Sequence, residues 1–221
     1  MAFLNRILEP ELMIDSEQCK EFSRNHPKLR HTKIIRWIKS KVNLQGTLLN
    51  LGCGPARLDI MLCEEFLDLS ILGIDDSPAM LQIADKNIAG NGLHHRIKLE
   101  QSDIKFVNGK FDNIISSDTL HHIHNPLIFW NAIKTVSKKG TSVFVVDSLR
   151  PDNMDQVNRI LKILAKTNDK LYIDDFRNSL CASFSLEEIQ YQLRATDLNY
   201  LKIDVTGDVC KTVYVYGIIN H

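Results

Sequence analysis

Short apolar runs alternate with helix-like segments along the middle of the chain, and this feature most constrains the fold. Strands are expected at 47–51, 70–75, 96–103, 111–118 and 141–147, with helices at 55–67, after Ser77 and at 126–138. Because alternating strands and helices form a parallel sheet covered on both faces, and because crossovers are right-handed, few topologies remain. The sequence therefore predicts an α/β fold whose ligand lies at the carboxyl ends of the strands.

The two ends of the chain show other patterns. Residues 1–26 form a polar leader with one expected helix, capped by Asp15, and a second helix is expected at 27–42. Near the C-terminus a helix is expected at 185–198, opened by a capping box. The strand-like runs 199–207 and 209–219 follow it, separated by turn residues, so they predict an antiparallel hairpin.

Composition restricts the class of protein. The chain has 221 residues, 44% of them hydrophobic, which is enough for one large core. Lys plus Arg and Asp plus Glu both number 27, so the basic excess typical of nucleic-acid binders is missing. The five cysteines are scattered without C-x-x-C spacing, which favours a reducing compartment over disulfides or structural zinc. No signal peptide or membrane span is visible, so we expect a cytoplasmic protein without a membrane partner.

A glycine turn follows the first strand, in the stretch "LLNLGCGPARLDIML". Gly52 and Gly54 can adopt backbone angles closed to other residues and let a ligand approach the main chain. The third glycine of a dinucleotide fingerprint is replaced by Arg57, and the Gly-Lys-Ser/Thr of a phosphate loop is missing. The turn therefore indicates a nucleotide-like ligand whose recognition does not depend on a phosphate group.

An aspartate ends the next expected strand. Asp75 lies 21 residues after Gly54, where a carboxylate can accept hydrogen bonds from both hydroxyls of a ribose. Taken separately, the turn is equally compatible with an ordinary tight turn, and Asp75 with a helix cap. Together, at this spacing, they favour a site for an adenosine-like ligand.

Four segments in register resemble one enzyme family. "LLNLGCGPARLDI", "ILGIDDSPAML", "QSDI" and "FDNIISSDTLHHI" are similar to motifs of class I S-adenosylmethionine-dependent methyltransferases, and the order matches from about residue 46 to 150. The resemblance implies a Rossmann-like, doubly wound sheet of seven strands. That sheet is mostly parallel, ends in an antiparallel C-terminal hairpin and carries helices on both faces. It also implies S-adenosylmethionine as the cofactor.

The resemblance assigns cofactor roles to residues at the strand ends. The methionyl and ribose side would be lined by Asn50, Gly52, Cys53 and Gly54. The ribose hydroxyls would be held by Asp75, with Asp76 and Ser77 beside it. The adenine would be held by Asp103 through its amino group and by Ile104 against the ring. The methionine end of the pocket would be closed by Ser117 and Asp118.

Three histidines lie just beyond a strand end, in "DTLHHIHNP". Their spacing is poor for a metal site, and no carboxylate or thiol partner is obvious, so we expect no metal. Loop packing is one alternative. The other is catalysis, in which His121 or His122 takes a proton from the nucleophile near neutral pH.

We expect the S-adenosylmethionine-binding methyltransferase domain to span residues 46–221, and residues 1–45 and about 150–184 lie outside the core that the family shares. We expect the first segment to form a helical leader or lid, and the second to form a helical substrate insertion that starts beside the cofactor. Candidates for substrate contact in it are Arg150, Tyr172, Phe176 and Arg177, each of which could equally brace the lid.

The leading hypothesis is methyl transfer to a small-molecule acceptor, in which the cofactor supplies the reactive methyl and the protein supplies positioning. Two alternatives stay open: an NAD(P)-dependent oxidoreductase and a non-catalytic cofactor-binding protein. Arg57, the acidic "QSDI" and the terminal hairpin count against the oxidoreductase. The oligomeric state, monomer or homodimer, is left open.

Overall fold

Seven strands form one sheet in the computed structural model, which describes residues 4–9, 19, 28–42, 44–165 and 170–220. The strands are β1 Gly46–Leu51, β2 Leu69–Asp75, β3 Ile97–Gln101, β4 Phe111–Ser117, β5 Ser137–Ser148, β6 Lys202–Thr206 and β7 Thr212–Ile218. Their order across the sheet is β3-β2-β1-β4-β5-β7-β6. The first five strands pair in parallel, and β7 is antiparallel to both β5 and β6. The predicted fold class is confirmed.

Seven α-helices connect and cover the strands among the described residues. They are α1 Lys28–Lys39, α2 Arg57–Glu65, α3 Pro78–Gly90, α4 Pro126–Val136, α5 Met154–Leu164, α6 Lys170–Ala182 and α7 Leu186–Ala195. Ser77 caps α3 by accepting from the Met80 N–H, and the capping box of α7 is present as predicted. No helix within the described ranges has both the length and the apolar composition to cross a membrane.

Two apolar cores lie on opposite faces of the sheet. Helices α1, α2 and α3 supply one of them, with Ile38, Leu62 and Ile88 fully buried. Helices α4 and α7 cover the other face, where Trp130 donates a hydrogen bond to Gln192 at 2.9 Å. Both faces of the sheet are therefore covered by helices. The polar side chains that a ligand can reach lie at the ends of the strands.

A third, smaller cluster joins α5 and α6 to the N-terminal segment. Val157, Ile160, Leu161 and Leu180 form it, and Leu4 packs against them. Backbone hydrogen bonds from Leu4 to Asp152 and from Ile7 to Cys181 attach residues 4–9 along these helices. The N-terminal segment is therefore part of the same structural unit as the insertion.

The element boundaries depart from the sequence prediction mainly at β5. This strand begins at Ser137, directly after α4, so Gly140 lies inside a strand instead of after a helix. The register of β4 and β5 shifts between Phe111 and Asn113, and this irregularity accommodates the early start. Helix α1 is shorter than the predicted 27–42, and the leader helix expected from Asp15 lies outside the described residues.

Candidate functional site

The glycine turn is held against the end of β2 by its own backbone. The N–H groups of Gly52 and Cys53 both donate to the Ile74 carbonyl at 2.9 Å. The N–H of Gly54 donates to Asp75 Oδ2 at 2.8 Å, and the N–H of Ser77 donates to Asp75 Oδ1 at 3.0 Å. The Asp75 carboxylate therefore connects the turn after β1 with the cap of α3.

Three positions in and just after this turn have left-handed backbone angles. Gly52 has φ of 73°, and a Cβ atom there would collide with the side chain of Thr119. Gly54 has φ of 51°, and its Cβ direction is open, which leaves its main chain accessible. Ala56, the residue before α2, also has φ of 56°, a conformation that costs a non-glycine residue roughly 1 kcal/mol.

A buried polar pair lies under the turn. Asn50 Nδ2 donates to Asp59 Oδ1 at 2.7 Å. The remaining oxygens, Asn50 Oδ1 and Asp59 Oδ2, have no hydrogen-bond partner among the described residues. Burial raises the pKa of Asp59 to about 7, although the hydrogen bond from Asn50 opposes that rise.

The strand ends enclose a cleft of about 440 Å³. All eleven residues that the sequence assigned to the cofactor line it: Asn50, Gly52, Cys53, Gly54, Asp75, Asp76, Ser77, Asp103, Ile104, Ser117 and Asp118. The structure thus brings together side chains from the ends of β1, β2, β3 and β4. Their convergence follows from the parallel order, since the carboxyl ends of parallel strands share one edge.

Asp103 lies at one end of the cleft and caps a short 3-10 turn. Its carboxylate accepts from the Lys105 N–H at 2.9 Å and pairs with Lys105 Nζ at 2.8 Å. Ile104, next to it, packs into the apolar core and also lines the cleft. The carboxylate is half-exposed, so it remains accessible to a ligand while it orders the turn.

Asp118 lies at the other end and is fixed by an arginine from α1. Arg30 Nε donates to Asp118 Oδ2 at 2.6 Å, and Arg30 Nη2 pairs with Oδ1, so the contact is bidentate. Asp118 has φ of 56°, and Ser117 Oγ donates to it at 3.1 Å. Helix α1 therefore closes the cleft beside β4, and this pairing raises the pKa of Arg30 despite the opposing effect of burial.

The first histidine of the cluster is buried behind the cleft and does not line it. The ring nitrogen Nδ1 of His121 lies 2.7 Å from Asp147 Oδ1. The backbone N–H of His121 donates to Asp147 Oδ2 at 3.1 Å. Burial alone would lower the pKa of His121, but Asp147 and Glu9 outweigh it and raise that pKa to about 9. His121 is therefore protonated at neutral pH, which makes it a poor proton acceptor there.

The second histidine lines the cleft. His122 Nδ1 forms a short hydrogen bond with the carboxylate of Glu9, which comes from the N-terminal segment. Ser179 Oγ of α6 donates to the other oxygen of Glu9 at 2.8 Å. The expectation that no metal binds here rested on the poor spacing of the histidines and on the lack of an obvious carboxylate or thiol partner; Glu9 supplies a carboxylate beside them.

The proposed substrate residues lie outside the cleft lining. Arg150 donates to the Ser183 carbonyl and to Glu188, both at 2.9 Å, so it braces the start of α7. Tyr172 and Phe176 stack on each other with centroids 6.1 Å apart, and Arg177 is exposed. The cleft is thus lined by residues from His31 to Ile128, and none of these four reaches it.

The sequence matches a family of known proteins over most of this fold. The family described as a methyltransferase domain matches residues 44–199. The chain belongs to this methyltransferase-domain family. The match includes every strand of the cleft, together with α5 and α6.

Individual relatives and structures agree with that membership. Demethylmenaquinone methyltransferase of Lactobacillus johnsonii is 28% identical over 119 residues, which cover 52% of this chain and 49% of the relative. The chain spans about half or less of the length of the first curated relatives it matches. A SAM dependent methyltransferase from Aquifex aeolicus has the same fold, with a TM-score of 0.67, 17% identity and coverage of 93% and 99% of the two chains. Magnesium protoporphyrin IX methyltransferase from Synechocystis, solved with bound SAH, has a TM-score of 0.62, 16% identity and coverage of 90% and 85%.

Four residues that shape this methyltransferase-domain site were not found from the sequence: Glu9, Arg30, Ala56 and Asp59. Glu9 and Arg30 come from the leader and α1, far from the motifs, and no local signal links them to the cleft. Asp59 carried a signal, because it is a charged residue among the apolar positions of α2. Ala56 takes a left-handed position at which a glycine would have been easy to recognise.

Proposed function

We propose that this chain transfers a methyl group from S-adenosylmethionine to a small-molecule acceptor. The observation that carries the proposal is the position of Asp75, whose carboxylate lies beside the exposed main chain of Gly54 in the cleft. A carboxylate at the end of the second strand is suited to accept from two ribose hydroxyls. Membership in the methyltransferase-domain family supports the same conclusion.

The cleft also offers an acceptor for the amino group of the ligand. Asn50 lines the cleft, and its Oδ1 has no partner among the described residues. An ammonium group would satisfy this buried oxygen, whereas an apolar or phosphate group would leave it unpaired. The methionyl part of the cofactor therefore fits the Asn50 side, and the adenine fits the side of Asp103 and Ile104.

The chemistry asks the protein for positioning more than for a reactive side chain. S-adenosylmethionine supplies an electrophilic methyl group on its sulfonium. The chain has to hold the acceptor in line with that methyl group and exclude water. Cys53 is unsuited to covalent catalysis, because burial raises the pKa of its thiol well above the ordinary value, and the charges of Asp59 and Asp75 add to the rise.

His122 is the candidate base when the acceptor is a hydroxyl or a protonated amine. It borders the cleft, and Glu9 fixes its Nδ1. This arrangement leaves Nε2 as the nitrogen that can receive a proton from an acceptor. His121 then supports the loop from behind through its two hydrogen bonds to Asp147.

The proposed class of acceptor rests on the charge of the chain and on the acceptors named for its relatives. With equal numbers of basic and acidic residues, the chain lacks the excess that binding to nucleic acid would favour. Relatives act on different acceptors, since one is a demethylmenaquinone methyltransferase and another a malonyl-[acyl-carrier protein] O-methyltransferase. We place the acceptor near His122, at the side of the cleft that faces α6. Cytoplasmic location stays a prediction.

Calorimetry with S-adenosylhomocysteine and with NAD tests the cofactor. We expect one site for S-adenosylhomocysteine and at least tenfold weaker binding of NAD. Tighter binding of NAD would reverse the assignment. Turnover with radiolabelled S-adenosylmethionine and a panel of small hydroxyl, amine and thiol acceptors then separates an enzyme from a non-catalytic binding protein.

A further inference from the structure

We propose that Glu9, His121 and His122 form a binding site for a divalent transition-metal ion such as Zn²⁺. One ligand atom from each residue lies within 4.8 Å of the other two. Two imidazoles and one carboxylate are a common ligand set for Zn²⁺ and Fe²⁺, and a poor one for Mg²⁺ or Ca²⁺, which prefer oxygen. The inference does not depend on the proposed methyl transfer.

The orientation of His121 supports a metal site. Asp147 Oδ1 lies 2.7 Å from its Nδ1, so Nε2 is the nitrogen left to face Glu9, whose Oε1 lies 3.9 Å away. Metal-binding histidines usually donate their second ring nitrogen to a carboxylate in this way, which fixes the ring and increases its basicity. Asp147 thus has the position of an outer partner of a metal ligand.

The other two ligands are held from outside as well. Ser179 Oγ donates to Glu9 Oε1 at 2.8 Å and fixes that carboxylate against α6. Arg6 Nη2 donates to the carbonyls of His121 and Ile123, at 2.9 and 3.0 Å, and so fixes the loop that carries both histidines. The three ligands therefore come from two chain segments whose relative position is already fixed.

Burial distinguishes this cluster from histidines on the surface. The side chains of His121, Glu9 and His122 are 5%, 11% and 23% exposed. The pair of His94 and Asp85 is more than half-exposed and offers only two ligands. A buried site with three ligands leaves one coordination position for water or substrate, and His122 places the site at the wall of the cleft.

An ion would displace two protons to the solvent: the proton on His121 Nε2 and the proton in the hydrogen bond between Glu9 and His122. At metal–ligand distances of about 2.0–2.2 Å, two ligand atoms stand roughly 3.3 Å apart in a tetrahedral site. Glu9 and His122 therefore have to move apart to reach this spacing, while His121 Nε2 and Glu9 Oε1, which are 3.9 Å apart, have to move closer. Side-chain rotations on this scale leave the backbone contacts of Arg6 in place.

The test uses the full chain after dialysis against EDTA and removal of the chelator. Calorimetry at pH 8 with ZnCl₂ should give one ion per chain, and CoCl₂ should produce a visible absorption band. Glu9→Gln and His122→Ala should each weaken Zn²⁺ binding at least tenfold. Asp147→Asn should weaken it by about 10- to 100-fold, as loss of an outer partner does. MgCl₂ should not bind over the same concentration range.

His124→Ala is the matched control, because His124 is exposed, lies in the same loop and is outside the cluster. It should bind Zn²⁺ like the unaltered chain. Should a variant unfold, the unaltered chain still decides the question, since Co²⁺ should broaden the ring resonances of His121 and His122 before those of His94 and His95. The proposal fails if no one-to-one binding occurs, if Glu9→Gln and His122→Ala bind as the unaltered chain does, or if Co²⁺ broadens His94 and His95 first.

Discussion

At the residue scale, the site depends on carboxylates that each have two tasks. Asp75 accepts from the N–H groups of Gly54 and Ser77 and still faces the cleft. Burial raises its pKa, and these two N–H groups partly offset that rise by favouring the ionised form. The same carboxylate therefore orders the turn before a ligand arrives and can receive hydrogen bonds from it afterwards.

Asp75→Ala should weaken binding of S-adenosylhomocysteine by about 1–3 kcal/mol, because two ribose hydroxyls lose a charged acceptor. Calorimetry measures the affinity. Asp75→Asn should lose less, since one oxygen remains to hold the turn. Asp68→Ala, on the exposed loop before β2, is the control and should bind normally. Unchanged affinity in Asp75→Ala would remove this residue from the cofactor site.

Asp59 predicts a pH-dependent stability. Its pKa is raised by burial from 3.8 to about 7, so between these values the unfolded chain releases a proton that the folded chain keeps. The contribution of Asp59 is therefore fully present below pH 3.8 and is lost as the pH rises to 7. The shift of roughly three pKa units corresponds to ~4 kcal/mol.

Asp59→Asn should remove this loss, because an amide of the same shape does not ionise. Urea denaturation should find the variant more stable than the unaltered chain by ~2–4 kcal/mol at pH 7.5, with the difference shrinking towards zero near pH 4. Asp68→Asn, at an exposed position, should show no such trend. A variant that is less stable at pH 7.5 would mean that the ionised carboxylate is stabilised in the fold.

At the element scale, the N-terminal segment ties the histidine loop to the insertion. Arg6 donates to the carbonyls of His121, Ile123 and Ala182, and its guanidinium lies 3.8 Å above the ring of Phe184. A planar guanidinium has five N–H donors in a fixed arrangement and can donate to three carbonyls at once. The compact ammonium group of a lysine does this less well. This one side chain thus joins three segments that are distant in sequence.

Arg6→Ala should destabilise the chain by about 2–3 kcal/mol, because three partly buried carbonyls lose a charged donor. Hydrogen exchange should accelerate in residues 119–124 and 179–184 and stay unchanged in α2. Arg6→Lys should restore only part of the loss. Arg159→Ala, which removes an exposed arginine of α5, is the control. Equal exchange rates in Arg6→Ala and the control would show that the segment does not fix the loop.

At the scale of the whole molecule, the two helices of the insertion take no part in lining the cleft. The lining runs from His31 to Ile128, so no residue of α5 or α6 reaches it. Those helices instead hold the N-terminal segment of residues 4–9, including Glu9, beside the cleft. Because these helices do not line the cleft, we expect cofactor binding to be independent of them. We expect the insertion to enclose the acceptor on the side of His122 that faces α6, as lids that exclude water do.

Replacing residues 152–172 with a short Gly/Ser linker should spare binding of S-adenosylhomocysteine and abolish methyl transfer. Calorimetry measures the first quantity, and turnover with the acceptor measures the second. A Gly/Ser replacement of the exposed hairpin turn at 207–209 is the control and should keep both. Normal turnover without residues 152–172 would place the acceptor pocket elsewhere.

The sequence by itself determined the sheet and the edge of the sheet at which the predicted cofactor residues meet. The alternation of β1 to β5 with helices predicts a parallel sheet, and the C-terminal turn residues predict the hairpin of β6 and β7. In a parallel sheet the carboxyl ends of the strands share one edge. The residues at or just after those ends, Gly52, Asp75, Asp103 and Ser117, therefore meet there. These features are local in sequence or follow from topology, so periodicity and turn chemistry were enough to find them.

Only the tertiary structure decided which distant groups complete the site. Glu9 meets His122 across 113 positions of the chain, and Arg30 meets Asp118 across 88. The tertiary structure also places Arg150 against Glu188 instead of in the cleft. It places His121 behind the cleft wall. Such contacts depend on how residues 4–9, α1 and the insertion pack on the sheet. Pairing between side chains that are distant in sequence produces no periodic pattern from which it could be predicted.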